Sequence, residues 1–289
     1  MINRLCIIGV GLIGGSVARA ARAKELCHEI VGVDADADNL RSALEWGVID
    51  VGFSDVAKGA ANADMVMIAT PVGSFDVIFN ALKAIWPTEA VVTDAGSTKC
   101  SVIESAKRVF GEVPDNFVPG HPIAGAEKSG VGASTVDLFQ GKRVILTPLE
   151  TTSPSAVKRV ERLWQSMGAK VYQMEPAHHD EVLAATSHLP HVLAFALTNM
   201  LGKKDEQQEI FQFAAGGFRD FTRIASSDPK MWLDICLANR REILPLIHQF
   251  REELAVAASL IEKGATDQLF ALFVDARGAR QRFLDQLEK

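Results

Sequence analysis

The fold is decided by the stretch Leu5-Cys6-Ile7-Ile8-Gly9-Val10-Gly11-Leu12-Ile13-Gly14-Gly15-Ser16, in which an apolar run meets a G-x-G-x-x-G turn and a helical pattern follows at once. Gly9 permits a sharp turn, Gly11 lets a pyrophosphate approach the backbone, and Gly14 allows the helix to pack closely on its strand. The free N–H groups at the start of that helix favour phosphate. A glycine turn alone is weak evidence, but the flanking strand and helix are the context that the motif requires.

A second buried strand, Ile30-Val31-Gly32-Val33, ends at Asp34. This carboxylate lies twenty residues beyond Gly14, where the ribose 2′-hydroxyl of a dinucleotide is bound. Asp36 and Asp38 follow, and no arginine stands beside Asp34. A 2′-phosphate would meet like charge there, so the sequence favours NAD over NADP. The alternative is an ordinary glycine turn in an α/β protein that binds no nucleotide.

Composition and length limit the function classes. With 289 residues, two domains are expected, and a net charge of −6 argues against non-specific binding to nucleic acid. The first strand begins too early to leave room for a signal peptide, and no apolar stretch is long enough to span a membrane. The four cysteines lack C-x-x-C spacing, so we expect neither a metal knuckle nor a disulfide framework. These features favour a cytoplasmic protein.

Strand and helix patterns alternate through the first half of the chain, which predicts a doubly wound, mainly parallel sheet with helices on both faces. Ligands bind beyond the carboxyl ends of such strands. The groups expected at that edge are Gly9 to Gly14, Asp34, Thr70 with Pro71, Ser97, and His121 in a stiff Gly-His-Pro turn.

Only helical patterns follow Tyr172. We therefore predict a dinucleotide-binding domain over residues 1–174 and an all-helical domain over residues 175–289. Long helices are expected over 179–201, with apolar residues almost all round, and over 231–261, with a kink at Pro245. Because the helical domain is so apolar, we predict a homodimer that forms through it.

Three residues of the first half are candidates for chemistry. His121 titrates near neutral pH and can accept a proton while hydride leaves a carbinol carbon, although a structural loop histidine is the alternative. Ser97 can orient His121 or bond the substrate, but it is also a natural helix N-cap. Lys99 can act as a cation near the cofactor, although a solvated surface lysine is the favoured interpretation.

The helical half offers an arginine and a group of histidines. Arg223, in Gly-Gly-Phe-Arg-Asp-Phe-Thr-Arg, can hold a carboxylate in a bidentate fork. The alternative is an ion pair of Asp220 with Arg219 or with Arg223. His188 and His191 lie three residues apart, downstream of His178 and His179. No H-E-x-x-H pattern accompanies them, so we expect packing or substrate contact and no metal.

Five segments together resemble the prephenate dehydrogenase family, whose relatives include arogenate and cyclohexadienyl dehydrogenases. They are Gly9 to Ser16, Asp94 to Lys99, His121 to Gly130, Ser187 to His191, and Gly216 to Arg223. The resemblance implies a Rossmann-type domain followed by an all-helical dimerisation domain. It also implies NAD-dependent oxidative decarboxylation of prephenate to 4-hydroxyphenylpyruvate in tyrosine biosynthesis.

The resemblance implies roles for single residues as well. His121 takes the proton of the ring hydroxyl, Ser97 supports that histidine and touches both ligands, and Arg223 binds a substrate carboxylate. Ala126 replaces a hydroxyl residue of many relatives. Glu127 beside it can meet the amino group of arogenate or only shape the pocket. The choice between prephenate and arogenate as substrate therefore stays open. The expected site is catalytic His121 and Ser97; substrate-binding Arg223, Ser97, Glu127, His188 and His191; and cofactor-binding Gly9, Gly11, Leu12, Ile13, Gly14, Asp34, Thr70, Pro71 and Ser97.

Two alternatives remain at this stage. One is a β-hydroxyacid dehydrogenase of the same two-domain plan, although such chemistry usually relies on a lysine in the helical domain. The other is a nucleotide-sensing protein that keeps the Rossmann turn without catalysis. Such a protein does not need Ser97, His121 and Arg223 together.

Overall fold

A computed structural model describes residues 1–126, 128–204 and 209–287. Its main sheet has six strands, all paired in parallel. The strands are β1 (Ile2–Ile8), β2 (Cys27–Val33), β3 (Val51–Phe53), β4 (Met65–Ile68), β5 (Val91–Asp94) and β6 (Phe117–Val118). Their order is β3-β2-β1-β4-β5-β6, so the direction of winding reverses between β1 and β4. That reversal opens the crevice in which doubly wound sheets bind their ligands.

Helices cover both faces of this sheet. They are α1 (Leu12–Ala23), α2 (Ala37–Glu45), α3 (Val56–Ala60), α4 (Phe75–Lys83), α5 (Cys100–Phe110) and α6 (Pro154–Ser166). Two separate apolar cores result. One contains Val17 of α1 and Trp164 of α6, and the other contains Phe79 of α4 and Val102 of α5. The fold class predicted from the alternating pattern is confirmed.

A second, three-stranded sheet carries His121. It consists of β7 (Gly120–Ile123), β8 (Arg143–Leu146) and β9 (Lys170–Gln173), with β7 antiparallel and β9 parallel to β8. The prediction of a stiff turn at His121 is therefore wrong. Its backbone pairs with Ile145, and this distant partner leaves no signal in the local sequence.

The structure beyond β9 is helical throughout the described residues. The helices are α7 (Pro176–Leu183), α8 (Leu189–Gly202), α9 (Glu209–Gln212), α10 (Gly216–Thr222), α11 (Pro229–Ala238), α12 (Arg240–Glu262) and α13 (Thr266–Leu287). None of these described helices carries an apolar stretch long enough to cross a bilayer. Backbone contacts group the chain into two compact units, Met1–Arg240 and Arg241–Lys289. The boundary expected between residues 174 and 175 stays a prediction.

Both long helices expected in this half are interrupted. A π-helical turn, Ala184–His188, separates α7 from α8, and Asn239 separates α11 from α12. Pro245 lies inside α12, and the kink expected there stays a prediction. At the break, the side-chain amide of Asn239 bonds the carbonyl oxygen of Asp180 and Nδ1 of His188, contacts that a regular apolar pattern does not reveal. Within the single chain α8 is mostly half-buried, with Ala194 its one buried residue.

Candidate active site

The glycine turn between β1 and α1 has the shape that a dinucleotide requires. Gly9 has φ +93°, and a Cβ there would lie 2.7 Å from the carbonyl oxygen of Ala69 at the end of β4. A Cβ on Gly14 would lie 2.0 Å from the carbonyl oxygen of Gly9. Gly11 instead faces open space, with no atom within 4 Å of a Cβ built on it, and no side chain caps the helix that starts after it. The turn therefore fits a pyrophosphate at the N-terminus of α1.

Asp34 directly follows β2, and its carboxylate is held in place from three sides. It accepts hydrogen bonds from the backbone N–H of Val10 at 3.0 Å and of Asp36 at 3.0 Å. The Nδ2 of Asn39 donates to it at 2.8 Å and also to the carbonyl oxygen of Val10 at 3.0 Å. The carboxylate thus lies beside the glycine turn, where it fits a ribose hydroxyl. Asn39, which the sequence reading missed, joins the two.

The other predicted cofactor contacts lie at the same strand ends. Leu12 and Ile13 form the first turn of α1, and both are half-buried. Thr70 and Pro71 follow β4, and the Cγ2 of Thr70 lies 2.8 Å from the position of a Gly9 Cβ. The structure therefore brings these residues and the glycine turn together across β1 and β4.

Lys99 is fully buried, so the expectation of a solvated surface lysine is wrong. Its ammonium forms an ion pair with Asp94, which is also fully buried, and donates a hydrogen bond to the carbonyl oxygen of Gly120 at 2.7 Å. Asp94 accepts in addition from the N–H of Gly120 at 3.0 Å and of Gly96 at 2.7 Å. Burial raises the pKa of Asp94 and lowers that of Lys99, while their mutual attraction acts against both changes. This pair fixes the start of β7 to the end of β5.

Asp180 of α7 caps α5 from outside that helix. Its carboxylate accepts from the backbone N–H of Lys99 at 2.7 Å and of Cys100 at 2.9 Å. Burial acts to raise the pKa of Asp180, but the hydrogen bonds from His179 and from these two N–H groups hold it below its ordinary value. Ser97 does not cap α5, and its half-buried hydroxyl makes no hydrogen bond to any residue that the structure describes.

His121 is buried, and one of its ring nitrogens is engaged by a second histidine. Its Nδ1 lies 2.9 Å from Nε2 of His179, whose own Nδ1 lies 2.8 Å from Oδ1 of Asp180. Burial, reinforced by the electrostatic effects of His179, Lys99 and His188, lowers the pKa of His121 well below its ordinary value. The ring is thus a neutral imidazole at physiological pH and able to accept a proton. Support of His121 by Ser97 stays a prediction, because the described partner of this ring is His179.

His188 and His191 flank the indole of Trp232. His191 stacks on that ring with centroids 3.7 Å apart, while His188 meets it edge-on at 6.1 Å. The Nδ1 of His188 lies 3.0 Å from Nδ2 of Asn239, and the Nδ1 of His191 lies 2.8 Å from the carbonyl oxygen of Ser187. Burial lowers the pKa of His188 to about 4. Both rings are therefore fixed in orientation.

Arg223 lies at the end of α10, in a turn that packs on α8 near His191. Burial lowers the pKa of His191, and the positive charge of Arg223 lowers it further, so the two side chains lie within electrostatic reach. Arg219 is exposed and lies 3.8 Å from Asp220, which matches the ion pair considered as an alternative. Glu127 lies outside the described residues. Among the described residues, no cluster of His, Cys, Asp or Glu is placed to hold a metal ion.

Sequence reasoning missed the polar groups that join these parts, above all His179, Asp180, Asn239 and Trp232. The adjacent His179-Asp180 pair at the start of the helical half was the one available signal. A histidine beside an acid is common, and nothing in the local pattern shows that its partner is His121, 58 residues away.

Comparisons with known proteins show which family this chain resembles over nearly its full length. The family model described as prephenate dehydrogenase, nucleotide-binding domain, matches residues 17–173, and the model of its dimerization domain matches residues 175–275. A prephenate dehydrogenase of Bacillus subtilis is 37% identical over 97% of this chain and 76% of its own length. A cyclohexadienyl dehydrogenase of Zymomonas mobilis is 35% identical over 97% of this chain and 96% of its own length. The crystal structure of a prephenate dehydrogenase from Aquifex aeolicus, in complex with hydroxyphenyl propionate and NAD+, superimposes with a TM-score of 0.90 at 38% identity, covering 98% of this chain and 99% of that one.

Proposed function

The chain belongs to the prephenate dehydrogenase family. We propose that it catalyses the NAD-dependent oxidative decarboxylation of prephenate to 4-hydroxyphenylpyruvate in tyrosine biosynthesis, with arogenate as a second substrate. NAD fits the open glycine turn and the Asp34 carboxylate, and when bound it supplies the acceptor for the hydride. The residues of this chain bind and orient the substrate and move one proton.

The observation that carries the proposal is His121, a neutral buried imidazole with Nδ1 engaged by His179. Its Nε2 is the nitrogen available to the ring hydroxyl of the substrate. When a base takes the proton of that hydroxyl, the electron pair of the O–H bond forms a C=O bond as hydride leaves the same carbon. The general base contributes roughly two to four orders of magnitude to such a reaction.

The proton balance gives His121 a second task. Prephenate loses a hydride and CO2, and its ring becomes aromatic with an oxygen at the former hydroxyl carbon. The product is a phenol, so the reaction releases no net proton. His121 therefore takes the hydroxyl proton as the hydride leaves and returns it to the same oxygen once CO2 has gone. Loss of CO2 with aromatisation is strongly downhill, so alignment is the main task of the site.

Arg223 is the residue that we assign to a substrate carboxylate. The substrate is a dicarboxylate and the protein carries a net charge of −6, so a dedicated cation is required. A guanidinium offers two parallel N–H donors to a carboxylate. The assignment is supported by the electrostatic effect of Arg223, which lowers the pKa of His191, a residue that stacks on Trp232. We assign His188 and His191 to substrate contact there, and Ser97 to contact with both ligands.

We further propose a homodimer that assembles through the helical half. The matching dimerization-domain model supports this, and so do large apolar side chains that one chain leaves exposed. In unit Arg241–Lys289 they include Leu254, Val256, Ile261, Phe270 and Phe273. Light scattering at micromolar concentration is expected to give twice the chain mass of 31.3 kDa, whereas a mass of one chain contradicts the proposal. The cytoplasm, where the four free thiols stay reduced, is the proposed location.

The test is the rise of NADH absorbance when purified protein is mixed with NAD and prephenate, with arogenate in a parallel reaction. His121→Asn is expected to lower kcat by roughly 10²- to 10⁴-fold while NAD binding is retained. The matched control is His178→Asn, since His178 is exposed and lies outside the site. Near-normal turnover of the His121 variant, or turnover of a β-hydroxy acid in place of both substrates, contradicts the proposal.

A further inference from the structure

We propose that His179 and Asp180 are positioning residues which keep Nδ1 of His121 protonated and so leave its Nε2 free to accept the proton of the substrate. The inference rests on the proposed function for its kinetic consequence, but the tautomer itself is a property of the protein alone.

The first step is that Asp180 only accepts hydrogen bonds. It is 2% exposed, and its carboxylate receives the N–H groups of Lys99 at 2.7 Å and Cys100 at 2.9 Å, at the positive N-terminal end of the 11-residue helix α5. Two backbone donors and a helix N-terminus stabilise the ionised form. An ionised carboxylate has no proton to give. The hydrogen of the 2.8 Å contact with His179 therefore belongs to Nδ1 of the histidine.

The tautomer of His179 in turn determines the tautomer of His121. A neutral histidine protonated at Nδ1 carries a lone pair at Nε2. The Nε2 of His179 lies 2.9 Å from Nδ1 of His121, and two facing lone pairs would repel. His121 consequently carries its hydrogen on Nδ1, and its lone pair lies on Nε2. A second histidine here performs the orienting task that a carboxylate often performs directly.

The same hydrogen bonds between His121, His179 and Asp180 also stabilise the charged state of the base. When His121 takes a proton it becomes an imidazolium in a buried site, which is costly without a counter-charge. The Nδ1–H of His121 then points at His179, and beyond it lies the Asp180 carboxylate. The polarised chain stabilises the cation without placing a negative charge directly beside the substrate, which is itself an anion.

The neighbouring His188 is held in the opposite tautomer to His121, so each ring has a hydrogen-bond arrangement of its own. The amide nitrogen of Asn239 donates to the carbonyl oxygen of Asp180 at 2.8 Å and to Nδ1 of His188 at 3.0 Å. His188 thus accepts at Nδ1 and carries its hydrogen on Nε2. One histidine of the site is held as an acceptor and another as a donor, the pair of roles needed for a hydroxyl proton and a carboxylate.

The first experiment reads the tautomer in the unmodified protein. Histidine labelled with ¹⁵N distinguishes protonated from unprotonated ring nitrogens by NMR, and His121→Asn identifies the signal of His121. At neutral pH and without ligands we expect Nδ1 of His121 to be protonated and Nε2 to be bare. The opposite tautomer, or equal populations of both, overturns the inference whatever the enzymatic activity is.

The second experiment measures the kinetic consequence with matched variants. His179→Phe removes the acceptor and is expected to lower kcat by roughly 10²-fold, with the KM for NAD and for substrate changed less than about threefold. His179→Gln restores an acceptor oxygen and is expected to recover part of this loss. His178→Phe, at the exposed neighbour, is the control. Full kcat in His179→Phe overturns the inference.

A merely structural role for His179 predicts a different pattern, namely equal loss in the Phe and Gln variants with KM rising alongside, and that result also overturns it. Failure of the proposed function is distinguishable from either case. A wild-type protein with the expected tautomer but no turnover of prephenate or arogenate contradicts the proposed reaction while supporting the ring arrangement.

Discussion

Replacing Lys99 by methionine is expected to destabilise the protein strongly, because it leaves the Asp94 carboxylate buried without its counter-charge. Both side chains are fully buried, and Lys99 also donates to the carbonyl oxygen of Gly120, next to His121. Removing one partner of a buried ion pair costs about 3–5 kcal/mol. The N–H groups of Gly96 and Gly120 still reach Asp94, so we expect the lower part of that range.

The assay is urea unfolding followed by circular dichroism, with Arg41→Met as the control. Arg41 forms an ion pair with Asp38 at 2.7 Å, but both side chains are well exposed, and such pairs contribute roughly 0–1 kcal/mol. The double variant Lys99→Met with Asp94→Asn is expected to be more stable than Lys99→Met alone, since it buries no unpaired charge.

The stability of the Lys99→Met variant is also expected to depend on pH. Without Lys99 the pKa of Asp94 rises further above its unfolded value, so the folded protein binds more protons. Stability of the variant then falls as pH rises through the window above about 4, and the loss is greater at pH 7 than at pH 5. A Lys99→Met protein as stable as Arg41→Met at pH 7 refutes the assignment of a buried ion pair.

Three further perturbations test other parts of the site. Arg223→Ala is expected to raise the KM for substrate by roughly 10- to 100-fold, as loss of a charge-assisted hydrogen bond does. Arg219→Ala, at the residue that lies beside Asp220, leaves the KM unchanged, and equal KM values in both variants contradict the assignment. Gly9→Ala meets backbone atoms and is expected to lower the melting temperature, while Gly11→Ala meets none and is expected to weaken NAD binding at unchanged melting temperature; calorimetry and cofactor titration separate the two. Burial lowers the pKa of His188 from 6.5 to about 4, so the unfolded chain binds more protons than the folded one between these pH values. The free energy of unfolding therefore falls by up to roughly 3 kcal/mol as pH drops from 6.5 to 4. We expect His188→Gln to make this fall smaller, and an identical fall in the variant shows that His188 is not its source.

The doubly wound fold, the dinucleotide turn, Asp34 at the end of β2 and the change to helices beyond β9 could all be predicted from the sequence. These features are local: apolar runs, glycines at fixed spacing and a short polar residue after a strand report directly on the backbone that they form. His121 and Arg223 were also reached from sequence, through their place in short and distinctive segments.

Only the tertiary structure decided how the polar groups pair. Lys99 precedes a helix in a polar segment that is typical of a protein surface. It is nevertheless buried, because its ammonium forms an ion pair with Asp94 and a hydrogen bond to the carbonyl oxygen of Gly120. Asp180 caps a helix that lies 80 residues earlier in the chain, and His179 reaches His121 over 58 residues. Hydrophobic periodicity shows which face of an element is turned inward. It carries no information on which buried donor meets which acceptor, since that depends on how distant elements pack, and the protonation state of the base follows from that packing.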